Sequence, residues 1–537
     1  MSNIFTSVSI KKPRFNTFDL SHDRKFNMGT GRLVPCFLME TVPNDRVSIQ
    51  TSQLIRAAPL VYPTMHRFEA YVHFFFVPNR ILWKSWEKFI NGGESGTDAP
   101  VFPFIQFSGI GANSLPDYLG LPLWTVTVGE SATRPVSAVP FAGYQKIWYE
   151  FYRDQNNDTF TAPYLESDGD GIPDGNVLLD ADVVGITILR ERSWQHDYFT
   201  SALPFTQRGP EATIPLGTTA DLSFVNPSIA TAVQRANGAA FPAVYNDIET
   251  NIGGTTREAL VADVGGGVRS SIVVDNSANL EVDLSSATAA TINDLRRAFR
   301  LQEWLELNAR AGSRYNEAIM AHFGISPGDA RLQRPEFLGG SSTPIVFSEV
   351  LQTSATSTEP SPLATLGGHA ISVGGRHITR YKCREHGYIF GLMSIRPKSA
   401  YQQGIPKHFL KFDKFDYFWK SFANIGEQAI LNKELYIDNI SDPTTENDTF
   451  GYTPRYAEYK YLNDTVHGSF KTSLDFTHAG RIFSSLPTLS AQFVYCQPED
   501  VSRIFAVTGL TDEQWYVQMH HKVKATRPMP YFGTPTM

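Results

Sequence analysis

The sequence predicts a mainly β protein, an antiparallel β-sandwich whose N- and C-terminal strands pair, with long inserted loops and several short α-helices. Strand-like segments with alternating apolar residues lie toward both ends of the chain. Phenylalanine, proline and glycine are abundant, as expected for strands joined by long, shaped loops. No internal repeat of about 20–50 residues is present, which argues against a solenoid or a propeller. Long insertions are compatible with this fold because the entropy cost of closing a loop grows only slowly with its length.

The bulk composition excludes several classes of protein. The 537 residues are 42% hydrophobic and 19% charged, which is typical of a folded globular chain. A net charge of −7 excludes a polycation that coats nucleic acid along its whole length. The three cysteines, Cys36, Cys383 and Cys496, form no CxxC pair, which argues against a disulfide scaffold or a zinc site and favours a reducing compartment. We expect neither a secretory signal nor a membrane span, because no apolar run approaches ~18 residues.

Residues 67–90, RFEAYVHFFFVPNRILWKSWEKFI, begin as a strand whose apolar residues alternate on one side. Phe75 makes the second side apolar as well, just before Pro78, so something must cover that side. After Pro78 the apolar residues recur every three to four positions, which predicts a short helix. Gly92 and Gly93 are expected to end it.

Further helices and strands are predicted along the chain. A helix with an aromatic stripe is expected within residues 140–158, and a helical pair within residues 291–312 and 313–324. Thr291 and Asp294 have the spacing of a capping box at the start of that pair. Strands are expected within residues 342–354, 386–397, 469–483 and 491–496, and the intervening segment KFDKFDYFWKSF is dense in aromatic residues and lysine.

The segment between residues 209 and 290 differs in composition from the rest of the chain. Alanine, threonine, glycine, serine and valine dominate there, aromatic residues nearly vanish, and short Val/Ile runs alternate with glycine-rich turns. We interpret it as a separate β-rich excursion that does not belong to the main core.

Several long blocks of this sequence resemble the major capsid protein of the Microviridae, the small single-stranded DNA phages, and especially its gokushovirus branch. The resemblance extends from about Pro13 to the C-terminus and is weakest over residues 155–290. The blocks are PRFNTFDLSHDRKFNMGTGRLVP, PLVYPTMHRFEAYVHFFFVPNRILWKSWEKFI, LRRAFRLQEWLELNARAGSRYNEAIMAHFG, RLQRPEFLGG and HGYIFGLMSIRP.

The resemblance implies a single eight-stranded viral jelly roll with long inserted loops. It also implies a T=1 icosahedral shell of sixty copies around a circular single-stranded DNA genome, with one insertion forming a protrusion at each three-fold axis. We accordingly expect a basic N-terminal arm at 1–32, the first part of the jelly roll at 33–208, the protruding insertion at 209–290, and a helical pair with the rest of the jelly roll and a basic tail at 291–537. The apolar second side near Phe75 would then be covered by an inserted helix of the same chain or by a neighbouring subunit.

Basic and aromatic residues at the two ends of the chain are candidates for contact with the genome. Lysine and arginine neutralise phosphates, and phenylalanine rings can stack on unpaired bases. The alternative is that both ends lie along neighbouring subunits. The candidate nucleic-acid-binding residues are Lys11, Lys12, Arg14, Phe15, Arg24, Lys25, Lys522, Lys524 and Arg527.

The loop ESDGDGIPDG is a candidate calcium site. Its acidic residues fall at positions 1, 3, 5 and 9 of a loop with Gly171 at position 6, which is a spacing that wraps a hard cation. Position 12 is Val177, where an EF-hand needs a bidentate glutamate, so a solvated acidic turn is the alternative. A bound calcium would stiffen a loop or an interface and would have no catalytic role. The candidate ligands are Glu166, Asp168, Asp170 and Asp174.

The sequence predicts a structural protein without a catalytic site. The histidines lack HExxH spacing, and the glycine-rich loops lack the phosphate-binding pattern. The resemblance implies that the partners are further copies of the chain, single-stranded DNA, other virion proteins and a bacterial surface receptor, with assembly in the host cytoplasm, no membrane insertion and no required cofactor. The alternatives are a calcium-stiffened β-sandwich that binds or hydrolyses glycans, or another phage structural protein such as a tail or spike subunit.

Overall fold

A computed structural model describes most of the chain as two compact units. The first unit contains Met1–Arg208 and Leu307–Met537, and the second contains Gly209–Glu306. The structure describes residues 15–125, 134–160, 171–177, 185–210, 212, 291–351, 353, 366–437 and 443–532, except 95, 313, 508 and 510, and short strand segments between residues 221 and 283.

Strands dominate both units. In chain order, those before residue 209 are β1 Asn16–Asp19, β2 His22–Met28, β3 Val34–Thr41, β4 Arg46–Ala57, β5 Phe68–Pro78, β6 Phe104–Phe107 and β7 Arg134–Ser137. Those of the second unit are β8 Asp221–Phe224, β9 Val233–Arg235, β10 Asn251–Ile252, β11 Thr255–Thr256, β12 Ala262–Asp263, β13 Arg269–Ser270, β14 Ile272–Val274 and β15 Leu280–Asp283. The later strands are β16 Glu336–Leu351, β17 Leu366–Lys382, β18 Gly387–Pro397, β19 Ala400–Tyr401, β20 Glu427–Leu431, β21 Thr449–Pro454, β22 Asp464–Thr465 and β23 Trp515–Arg527.

The α-helices are few and mostly short. They are α1 Asn79–Leu82, α2 Trp86–Asn91, α3 Leu115–Leu119, α4 Val139–Phe151, α5 Ile292–Ala311, α6 Tyr315–Phe323, α7 Asn432–Leu435, α8 Pro443–Glu446 and α9 Ala491–Val494. Among the described residues, no helix combines the length and the apolar content that crossing a bilayer requires.

Nine strands form one antiparallel sheet that is continuous through β16. The first half of β16 pairs with β5, and its second half, from Val346 onward, pairs with β17. One layer therefore has the order β2-β23-β4-β17, with β1 continuing β2 along the same edge of β23, and the other has the order β3-β18-β5-β16. This is the arrangement of an eight-stranded jelly roll, and it confirms the predicted fold class.

The core lies between the two layers because the strands alternate in polarity. Side chains of β4 alternate between buried and more exposed from Arg46 onward, and the same holds along β23. Rings from opposite layers meet at Phe68 and Trp515, whose centroids lie 5.5 Å apart. These alternating faces build one apolar cluster from both layers.

The second, apolar side of β5 is covered by a helix of the same chain. The ring of Phe75 lies 4.8 Å from that of Phe151 in α4 and 5.3 Å from that of Phe337. His73 and Tyr152 form a hydrogen bond of 2.7 Å beside this contact. Of the two covers predicted for this side, the structure therefore shows the inserted helix.

The predicted helices are confirmed with adjusted boundaries, except that the single helix expected after Pro78 is divided into α1 and α2. Gly92 ends α2 in the left-handed conformation with φ of 73°. Thr291 and Asp294 form the reciprocal hydrogen bonds of a capping box before α5. The second helix of the pair starts at Tyr315, later than the predicted Ser313, and Gly324 ends it with φ of 67°.

Two predicted strands are wrong, and several strands of the structure were not predicted, including β1 and β2 in the expected N-terminal arm. Residues 469–483 form 3₁₀ turns, and residues 491–494 form α9, whose N-cap Ser490 accepts a hydrogen bond from the Phe493 amide. Short apolar runs do not distinguish strands from buried turns and helices. The strands β17 and β23 were missed because β17 is rich in glycine and β23 had been read as a basic tail. Gly368 shows why β17 needs glycine: a Cβ there would lie 2.4 Å from the carbonyl oxygen of Tyr62.

The described strands of the second unit pair in a nested antiparallel order. The first of them, β8, pairs with the last, β15, and β9 pairs with β14. Inside these lie the pairs β10 with β11 and β12 with β13.

Stability of the unassembled chain should fall in acid because a neutral histidine is buried in the core. Nε2 of His521 donates to the carbonyl oxygen of Cys36 at 3.1 Å, which leaves Nδ1 to accept from the hydroxyl of Thr51 at 2.9 Å. Burial lowers the pKa of His521 to about 4, with His22 contributing. The unfolded chain, with a histidine pKa near 6.5, takes up the proton first, so stability declines as the pH falls from about 6.5 to 4.

We expect His521→Gln to flatten this pH dependence. One such histidine accounts for a loss on the order of 2 kcal/mol between pH 7 and pH 5, and glutamine does not titrate there. Urea unfolding at both pH values measures the difference for the two chains. If both chains lose the same free energy of unfolding between pH 7 and pH 5, the assignment is contradicted, even if the variant is less stable at pH 7.

Candidate nucleic-acid interface

The side of β2, β23, β4 and β17 that faces away from the core is rich in cations. Along β23, even-numbered side chains from Tyr516 to Lys524 are exposed while their odd-numbered neighbours are buried. The register places Lys524 of β23 and Arg380 of β17 on either side of Ser48 in β4. We call this side the basic face, and its exposed cations are Lys25, Arg46, Arg56, Arg380, Lys382, Lys522 and Lys524.

Positive charge prevails on the basic face. The acidic residues on the same side are Asp19, whose pKa is lowered by hydrogen bonds from Ser21 and by nearby lysines, and Asp23, which contacts His520 at 2.5 Å. Among the described residues, none of the seven cations forms a salt bridge. Alternate residues of a strand are about 7 Å apart and neighbouring strands about 5 Å apart, so the cations form a closely spaced array. Such an array can neutralise several phosphates of one flexible strand at once.

A groove of about 840 Å³ lies at the Tyr516 end of the basic face. Its lining includes the ring of Tyr516, which is 47% exposed, the cations Lys25 and Arg56, and the amide of Gln518. An exposed ring beside cations is suited to stacking on an unpaired base while the cations hold its phosphates.

The structure separates the predicted nucleic-acid residues into groups. Lys25, Lys522 and Lys524 share the basic face, because β2 and β23 pair. The exposed ring of Phe15 lies 5.9 Å from the guanidinium of Arg46 on that face. Lys11, Lys12 and Arg14 lie outside the described residues.

Arg24 and Arg527 are engaged in contacts within the chain. Arg24 donates to the carbonyl oxygen of Tyr118 at 2.7 Å, and burial lowers its pKa. Arg527 lies 3.2 Å from the fully buried carboxylate of Asp45 and donates to the carbonyl oxygen of Glu40 at 2.8 Å. The structure therefore gives these two arginines a role in packing.

Four cations of the basic face were missed in the sequence, namely Arg46, Arg56, Arg380 and Lys382. Their signal is the alternation in RVSIQTSQLIR and ITRYK, in which all basic residues fall on one side, together with Leu54 and Ile378. Alternation predicts that these cations are exposed, but it does not show that strands distant in the sequence lie side by side.

The described end of the acidic loop packs against the protein. Asp174 accepts a hydrogen bond of 2.7 Å from the indole nitrogen of the buried Trp83. Gly171 has φ of 56° and lies so close to the backbone of Leu82 that a side chain would collide with it. The other candidate ligands, Glu166, Asp168 and Asp170, lie outside the described residues, and the described residues contain no cluster suited to a metal ion. Calcium binding stays a prediction.

The cysteines and His521 serve packing. All three thiols are free and buried, and burial raises the pKa of Cys36 to about 12 and that of Cys383 to about 11. His520 is exposed on the basic face while His521 points into the core. A thiol that stays protonated at neutral pH is a poor nucleophile.

Comparison with known proteins gives one consistent result over the whole chain. A family model described as "Capsid protein (F protein)" matches residues 6–537. The "Capsid protein VP1" of Chlamydia phage 1 is 34% identical, with 100% of this chain and 98% of that protein covered. Those of Bdellovibrio phage phiMH2K and Spiroplasma virus 4 are 33% and 30% identical, with 98% and 95% of this chain and 96% and 93% of those proteins covered.

Removing cations from the basic face should weaken binding to single-stranded DNA in a salt-dependent way. The variant carries Arg46→Ala, Lys382→Ala, Lys522→Ala and Lys524→Ala. Each phosphate contact on a single strand contributes a slope of ~0.7 to the dependence of log K on log salt, so we expect the slope to fall by up to ~3. Fluorescence anisotropy with a labelled oligothymidylate at several salt concentrations measures it.

The matched control replaces four exposed cations outside this face, Lys84, Lys88, Arg331 and Lys471, with alanine. It changes the net charge by the same amount, so it separates local contact from overall attraction. A control slope reduced as much as that of the first variant contradicts a role for the basic face.

Proposed function

The chain belongs to the capsid protein (F protein) family of the Microviridae, in its gokushovirus-type branch, and from this premise we propose that sixty copies close into a T=1 icosahedral shell around a circular single-stranded DNA genome. Its general role follows from membership of this family: it is a structural protein of the virion. The similarity to the three VP1 proteins covers nearly the full length of each chain, so the proposal applies to the whole protein.

The basic face is the observation that best supports the proposal that the shell encloses the genome. Seven exposed cations against two carboxylates give one layer of the jelly roll a positive surface, although the whole chain has a net charge of −7. Phosphate neutralisation needs no particular base sequence, which suits a surface that must contact a whole genome. The ring of Tyr516 adds stacking, which is worth ~1–3 kcal/mol per base and tolerates any sequence.

The segment 209–290 is proposed as an outward module that contacts the bacterial host. Two findings support this part of the proposal. The segment lies within the second compact unit, Gly209–Glu306, and its composition differs from that of the jelly roll. Loops and insertions tolerate change better than core strands do, which suits a surface that must follow a variable receptor.

Assembly is proposed to occur in the host cytoplasm, together with other virion proteins and without membrane insertion. Three free, buried thiols suit folding in a reducing compartment, because they need no oxidation to complete the core. We assign no catalytic step to the protein.

Electron microscopy and nucleic-acid extraction test the central proposal. Particles purified from host cells that produce the full chain should be closed shells that contain nuclease-protected, single-stranded DNA. A chain that stays monomeric under all assembly conditions, or shells whose nucleic acid is fully accessible to nuclease, contradict it.

Deleting residues 209–290 should leave assembly possible and reduce host attachment. The reason is that, among the side chains whose burial the structure describes, the apolar clusters hold the jelly roll together without this segment. A short Gly/Ser linker replaces the segment, and both sedimentation of particles and adsorption to host cells are measured.

The unmodified chain produced in parallel serves as the reference for both readouts. Insoluble or unfolded subunits after the deletion show that the segment belongs to the folding core. Normal adsorption by shells that lack the segment contradicts its role in host contact.

A further inference from the structure

Ten large apolar side chains are exposed together on the first unit, in two segments around residues 409–425 and 459–462. Each is at least 46% exposed, and Phe412 and Leu462 reach 86% and 96%. We call this set the aromatic patch, and its members are Phe409, Phe412, Phe415, Tyr417, Phe418, Trp419, Ile425, Tyr459, Tyr461 and Leu462.

Direct contacts join the two segments into one surface. The ring of Phe418 lies 5.0 Å from that of Tyr456 and 6.3 Å from that of Tyr459. The ammonium of Lys411 lies 3.9 Å from the ring centre of Tyr459 and 3.0 Å from the carboxylate of Glu458. The patch is therefore continuous across the two segments.

Hydrogen bonds hold the exposed rings in place. The indole nitrogen of Trp419 donates to the carbonyl oxygen of Lys414 at 2.8 Å. The carboxylate of Asp416 accepts from the backbone amides of Phe412 and Asp413 at 3.0 and 2.8 Å, and these bonds lower its pKa. A partner that binds to rings fixed in this way loses little conformational entropy in ordering them.

The patch is larger than a monomer ordinarily leaves in water. At roughly 200 Å² per large side chain, the patch exposes on the order of 1,000 Å². The largest apolar patch of a typical monomer is about 300–600 Å². A stable interface buries about 800 Å² on each partner, so the patch has the size of one full interface.

A cleft of about 540 Å³ opens beside the patch. Phe409, Tyr459 and Leu462 line it, together with the buried rings of Tyr198 and Tyr401. Buried aromatic pockets near the centre of an interface are where most of the binding energy is concentrated.

The charges around the patch favour a protein partner over nucleic acid or lipid. Lys411 is already paired with Glu458, so it is not left for phosphates. The exposed charges on and beside the patch are mixed, with the cations Lys414, Lys420, Lys460 and Lys471 against the carboxylates Asp413 and Asp416. The basic face, by contrast, carries seven cations against two acids. A mixed rim can pair with an equally mixed rim on a second copy.

We propose that the aromatic patch, with its cleft, is a contact surface that binds a second copy of this chain in the assembled shell. The inference rests on the proposed function, because it names the surface by which shell subunits associate. It also explains why the segment KFDKFDYFWKSF keeps so many rings in water in the isolated chain: in the shell they are covered.

Substituting the two most exposed side chains tests the proposal on the full chain. In Phe412→Ser with Leu462→Ser, we expect the yield of closed shells to fall roughly tenfold or more, because central apolar anchors carry most of the energy of an interface. Soluble subunits should accumulate with a melting temperature close to that of the unmodified subunit, since both side chains are almost fully exposed. Sedimentation and electron microscopy measure the yield.

The control replaces two exposed apolar residues elsewhere, Met65→Ser with Val101→Ser, which are 65% and 60% exposed. This control should assemble as the unmodified chain does. An equal loss in the control, or an unchanged yield of shells from the patch variant, overturns the inference. Patch-variant shells that form normally but release DNA at lower salt, or lose affinity for lipid vesicles, overturn it in favour of those partners.

A thiol-protection measurement keeps the proposal testable if the double variant misfolds. Phe412→Cys introduces a reactive thiol, while the native Cys36, Cys383 and Cys496 are fully buried. A maleimide probe should label this position in unassembled subunits and fail to label it in shells. Labelling in intact shells overturns the inference. If the unmodified chain itself forms no shells, the proposed function fails as well, which separates the two failures.

Discussion

The rest of the structure depends on one constraint: β23 pairs with β4 on one side and with β1 and β2 on the other. It joins residues almost 500 positions apart, as in the hydrogen bond of 2.8 Å from the indole of Trp515 to the hydroxyl of Thr30. The alternating side chains of β23 complete the core on one side and the basic face on the other. Without this pairing, neither the closed sandwich nor the cationic surface would exist.

In the layer β3-β18-β5-β16, the outer side is covered by a helix from an inserted segment of the same chain. The helix α4 covers the apolar end of β5, so that side is closed within one chain. The loops beyond β19 are built differently, because they leave their rings in solvent above a small apolar cluster of their own. The outer side of β5 is therefore not free for contact with other subunits, whereas the aromatic patch is exposed.

The basic face and the aromatic patch are expected to respond differently to salt. Attraction between the basic face and phosphates weakens as the salt concentration rises, because releasing counterions into a more concentrated solution gains less free energy. Burial of the aromatic patch depends on apolar area and is insensitive to moderate salt. A shell that uses both can hold its subunits together while its contact with the genome responds to ionic conditions. Two groups singled out in the sequence make contacts within the protein, Asp174 with the indole of Trp83 and His521 in the core.

Local patterns in the sequence determined the alternating strands, the capping box at Thr291 and the helix ends at Gly92 and Gly324, because each depends on neighbours within a few residues. They also indicated the fold class and the presence of basic residues at both ends. Only the tertiary structure decided that the glycine-rich β17 is a strand, that the C-terminal tail is a central strand, and which cations share one face. The physical reason is that strand pairing joins residues hundreds of positions apart, so a side chain's neighbours are set by register across strands, which no local pattern contains.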